Sequence, residues 1–150
     1  MRPPLSESQA DPLEAILDTL IPASEDGRMP AAGALGLAPD IRRRAAAALP
    51  VIDQGLAAAD ACAGERGAPN FAALSASDRV AVLRVVETRE PAFLPNLLFH
   101  AYPAYYQHPR VLVAIGLEPR PPHPKGYDLE AGELGALERV RARGRLYRDA

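Results

Sequence analysis

Asp11-Pro12-Leu13-Glu14-Ala15-Ile16-Leu17-Asp18-Thr19-Leu20-Ile21-Pro22 is the stretch whose reading decides the fold class. Asp11 offers a carboxylate to the free N–H groups of a helix start. Pro12 has the φ, and lacks the N–H, that suit a first helical position. Glu14 stands where a capping-box acid reaches back. Leu13, Ile16, Leu17, Leu20 and Ile21 follow at offsets 0, 3, 4, 7 and 8, which is one apolar stripe of an α-helix. Pro22 ends it, since its ring excludes a further turn.

The rest of the chain repeats this grammar. Alanine is the commonest residue, β-branched residues are few, and sixteen prolines are about twice the usual share. Residues 1–10 read as a flexible arm and 11–150 as a single helical domain. Residues 23–38, with Gly27, Pro30, Gly33 and Gly36, read as an ordered loop. Pro39 opens a second helix to about Ala63, which Pro50 should kink or split. Ser75 and Ser77 are candidate caps of a third helix ending near Arg89, and Pro91 starts a fourth. In that fourth helix Leu94, Leu97, Leu98, Ala101, Tyr102 and Tyr105 form the expected core stripe, with Pro103 bending its end. A short helix from Pro109 closes at Gly116. Residues 117–128 form a Pro-rich loop, and a last helix runs from about Leu129 to Arg143. The fold expected is all-α, an irregular bundle of about five to six short, Pro-punctuated helices.

Several function classes fall away at once. A chain of 150 residues with a net charge of -2 is no general polyanion binder, so nucleic acid is not expected. Its one cysteine excludes a disulfide framework. No apolar run approaches the roughly 18 to 20 residues of a membrane span, so direct insertion is not expected. Gly33-Ala34-Leu35-Gly36 is not a dinucleotide fingerprint, and there is no Walker A, HExxH or CxxCH sequence. No cofactor is therefore expected in this chain. The opening residues carry neither a secretory nor a twin-arginine pattern. The chain as written reads as cytoplasmic, or periplasmic if trimmed or exported with a partner.

What remains is a short set of candidates. His100-Ala101-Tyr102-Pro103-Ala104-Tyr105-Tyr106-Gln107-His108-Pro109 is the densest constellation. On an ideal helix His100 and His108 point about 80° apart, and two histidines without a third ligand make a poor metal site. Tyr105 continues the core stripe, while Tyr106 and His108 lie off it and read as surface contacts. An alternative is a free-standing helical enzyme using a His/Tyr acid–base pair in residues 100–108. Glu14 and Asp18 share a helix face that reads as solvated, and Cys62 reads as a small buried apolar residue. The 139–150 tail, with five arginines between Arg139 and Arg148, reads as a basic helix end.

Two segments resemble a known family. Ile16 through Gly27, followed by Pro30-Ala31-Ala32-Gly33, is similar to the "DTLIPAD…PGA" opening of the gluconate 2-dehydrogenase subunit 3 family. Tyr105-Tyr106-Gln107-His108-Pro109, Ile115-Gly116 and Pro122-His123-Pro124-Lys125-Gly126-Tyr127 resemble its "YY..P…lG…P.P.GY" ending. The resemblance implies a small subunit that is not itself catalytic and carries no redox cofactor. It implies that the chain binds the large subunit of a flavin-dependent sugar or alcohol dehydrogenase, where FAD resides, often with a haem c subunit. Assisting assembly, maturation or stability of that subunit is the implied role. The interface expected from these motifs comprises Tyr105, Tyr106, His108, Pro109, Pro122, Gly126 and Tyr127, with Asp18 and Pro22 structural. Two accounts of Asp18 stand open: a solvent-facing carboxylate, or one turned inward to hold backbone N–H groups of the 23–33 loop. Gly126 supplies a turn that needs positive φ.

Overall fold

The computed structural model describes residues 11–120, 126 and 132–144. Among them are seven α-helices and no strand. They are α1 (Pro12–Leu20), α2 (Ala38–Arg44), α3 (Leu49–Glu65), α4 (Ala76–Arg89), α5 (Phe93–Tyr106), α6 (Pro109–Ala114) and α7 (Glu138–Arg141). Chain contacts divide the molecule into two compact units, one ending at Pro119 and one starting at Arg120. The first holds α1–α6 and the second holds α7.

The helix boundaries follow from caps and prolines. Asp11 Oδ1 accepts the Leu13 N–H at 3.0 Å. Both oxygens of the same carboxylate meet the Arg42 guanidinium, at 2.5 and 3.1 Å, which ties the start of α1 to α2. Pro50 splits the expected second helix: α2 stops at Arg44, and α3 begins with Pro50 in its first turn, where no N–H is needed. Of the two serines, Ser75 is the cap of α4, its Oγ accepting the Asp78 N–H at 3.2 Å. The fourth helix starts at Phe93, with Pro91 in the turn before it. It continues past Pro103 to Tyr106. The missing Pro103 N–H frees the carbonyl of Phe99, a residue on the outer face where water can satisfy it.

In the first unit the core is filled by Leu13, Ile16 and Leu17 of α1, Ile41 of α2, Ile52 of α3, Val82 and Val86 of α4, and Phe93, Leu97 and Tyr105 of α5. Small residues let two helices approach closely. A methyl group at Gly55 of α3 would lie 2.0 Å from Phe93 Cγ of α5, so the ring is seated on glycine backbone. Cys62 is buried as expected, with Arg89 Nη1 3.1 Å from its Sγ.

Two expectations need correction. Tyr102 does not belong to the core stripe: the buried face of α5 runs through Phe93, Leu97, Ala101, Ala104 and Tyr105, and Tyr102 is exposed. The helix is apolar on every side, so periodicity alone does not choose the inner face. The final helix is also shorter than expected. Residues 132–133 are not helical, Leu134–Leu137 form a 3-10 turn, and α7 has only four residues. Gly132 and Gly135 explain the late start, because glycine loses most backbone entropy on entering a helix. The arm, Pro122, Tyr127 and the end of the basic tail lie outside the described residues.

Candidate functional site

Asp18 resolves the question left open by the sequence. Its Oδ1 accepts the Gly33 N–H at 2.8 Å, across fifteen residues of chain. A Cβ on Gly33 would lie 2.3 Å from the Glu14 carbonyl oxygen and 2.7 Å from Asp18 Cγ, so only glycine lets the loop close onto α1. The intervening segment is held throughout. Ala32 N–H donates to the Ile21 carbonyl at 3.0 Å, and Ser24 N–H to the Met29 carbonyl at 3.1 Å. Met29 N–H in turn donates to Ser24 Oγ at 2.9 Å. Pro22 stands exposed just beyond the α1 cap, Ile21.

The Glu14/Asp18 face is less solvated than expected. Gly33, Ala72 and Ala73 of the 3-10 turn Phe71–Ala73, and Arg79 line an open cleft of about 570 Å³ beside it. Burial, with the nearby charges of Asp11 and Asp18, holds the Glu14 carboxyl above its ordinary range. Burial also pushes Asp11 up, but the hydrogen bonds from Arg42 and Leu13 and the Arg42 charge outweigh it, so Asp11 is lowered.

The polar side chains of the 100–109 segment take separate places. Tyr105 is buried and its hydroxyl donates to the Pro30 carbonyl at 2.8 Å. Burial and the neighbouring Tyr106 raise its pKa. His108 is the cap of α6, its Nδ1 accepting the Arg110 N–H at 3.3 Å, with Pro109 in the first turn. His100 stands two turns earlier, edge-to-face with Phe99 at 5.2 Å between ring centres. Among the described residues no histidine ring is hydrogen-bonded to a tyrosine hydroxyl. Among the same residues no three His, Cys, Asp or Glu side chains gather as a metal site.

The Tyr105–Pro30 bond also joins the two motifs that carried the resemblance: one contributes the carbonyl, the other the hydroxyl. A family model described as gluconate 2-dehydrogenase subunit 3 matches residues 7–116. The chain belongs to the gluconate 2-dehydrogenase subunit 3 family. No curated protein and no solved structure matches it. The family is by its description a subunit of a multi-subunit dehydrogenase, which implies a partner. The match ends at Gly116, so the Pro122–Tyr127 part of the resemblance lies beyond it. Gly126 has a φ of 65°, the left-handed conformation expected of it.

The candidate contact residues separate into two groups. Tyr106 is exposed, and so is Pro109, while His108 is half-buried and Tyr105 is internal. The sequence reading missed Pro95 and Phe99, which are exposed with Pro103 beside Tyr102 and Tyr106 on α5. A charge-free helix of fourteen residues was the signal available, because such a helix has apolar groups left for its outer side whichever face is buried.

Proposed function

We infer that this chain is a subunit without a redox cofactor of its own that binds the FAD-bearing large subunit of a sugar or alcohol dehydrogenase and assists its assembly, maturation or stability. The observation that carries the reading is the family match over residues 7–116. The geometry is in keeping with it: the Tyr105 hydroxyl ties the loop at Pro30, and the His108 ring caps α6. A haem c subunit is a further component of the proposed complex. The site of action follows the large subunit, in the cytoplasm while it folds and in the periplasm if the two are exported together.

The test is expression of the large subunit with and without this chain. The reading expects more soluble large subunit and a higher flavin content per polypeptide when the chain is present. Unchanged yield and flavin content, with the two proteins eluting independently at micromolar concentration, would overturn it.

A further inference from the structure

We propose that the outward face of α5 is the docking surface, and that it seats an apolar patch of the large subunit carrying a carboxylate opposite Arg110. This rests on the subunit reading above. α5 contains no Asp, Glu, Lys or Arg. Pro95, Phe99, Tyr102, Pro103 and Tyr106 fall within an arc of about 100°, directly opposite the buried residues. All five are exposed. Phe99 is 74% exposed, Tyr102 46% and Tyr106 50%, with the last two rings 6.4 Å apart. The three rings alone present roughly 350 Å² to solvent. That is the scale of the largest apolar patch on a typical monomer, a patch that is often functional.

Charge and area select the occupant. Arg110, four residues past the end of the stripe, is exposed and its guanidinium has no ion pair among the described residues. By contrast, Arg43 and Arg44 beside that end are both paired with Asp40, and Arg44 also donates to Gln107. Glu90 stands at the opposite end, accepting from Gln54 at 2.8 Å. A lipid surface draws on clusters of basic residues; one arginine without an ion pair just after the stripe does not supply them. Two copies paired stripe to stripe would cover far less than the roughly 800 Å² per partner of a stable dimer. A larger partner with a concave apolar surface reaches the rings and the rim together. Rigid tyrosines, and prolines with no side-chain freedom to lose, lower the entropy cost of such docking.

The full chain is tested with the co-expressed large subunit. Compared with wild type are Phe99→Ser/Tyr102→Ser/Tyr106→Ser, the single Phe99→Ser, Arg110→Glu, and Val80→Ser as an exposed apolar control on α4. Helical circular dichroism and melting establish that each variant is folded. The triple variant should bind at least about tenfold more weakly, and Arg110→Glu several-fold more weakly with the salt dependence reduced. Val80→Ser should bind as wild type. Unchanged binding by folded variants would overturn the docking surface while leaving the subunit reading intact. Failure of wild type to bind would overturn both. Dimerisation of wild type abolished in the triple variant, or its sedimentation with vesicles containing anionic lipid, would show another occupant and overturn the proposal.

Discussion

The carboxylate of Asp18 accepts the backbone N–H of Gly33 at 2.8 Å, and the missing side chain of Gly33 is what allows the approach. One contact turns a fifteen-residue excursion into a fixed extension of α1, and the Tyr105 hydroxyl secures the same excursion from α5. Gly33→Ala should therefore push the loop off α1, costing about 1–3 kcal/mol. Asp18→Ala should cost about 1–2 kcal/mol, and Asp18→Asn less, since an amide oxygen still accepts the bond. Denaturant melts of the three variants and the Gly33→Ala/Asp18→Ala double variant check this. The double variant should fall short of the sum, because both changes release the same contact.

Tyr105→Phe removes one hydroxyl and leaves the Pro30 carbonyl without its donor. The expected loss is about 1–2 kcal/mol. Hydrogen exchange should quicken in residues 24–32 while α3 and α4 are unaffected.

Gly55→Ala places a methyl inside the Phe93 ring position. Neither helix can yield without disturbing the core, so a loss of about 2–3 kcal/mol is expected. Phe93→Leu in the same chain should restore part of it, a sign of steric origin that thermal melts can read.

Asp11 and Glu14 give opposite pH signatures. Asp11 is lowered by the fold, so its contribution is complete above the unfolded aspartate value and is lost as pH falls through the folded one. Glu14 is raised, so its ionised form opposes folding, an effect absent below the unfolded glutamate value and complete above the folded one. Glu14→Gln should gain stability over wild type as pH rises through that window. Asp11→Ala should lose about 1 kcal/mol at neutral pH through the lost cap, and less in acid. Melting across pH 2 to 7 measures both.

Much of this was legible in the residues, for local reasons. Asp11-Pro12, Pro50, Ser75 and Pro109-to-Gly116 act within one turn of chain, so caps and breaks could be read directly. The inward turn of Asp18 was one of two readings, because a partner fifteen residues away is set by tertiary closure and not by spacing. Tyr102 was misassigned since α5 carries apolar residues around its whole circumference, and only the neighbours α3 and α2 decide which side is covered. The Glu14 cleft was invisible for the same reason: the turns that line it come from elsewhere in the chain.

Native mass measurement of the co-purified complex tests the central claim most directly. The account predicts a species heavier than the flavin-loaded large subunit by one 16.0 kDa chain, lost in the triple α5 variant. A large subunit carrying its full flavin at its own mass, with this chain free in the same sample, would contradict it.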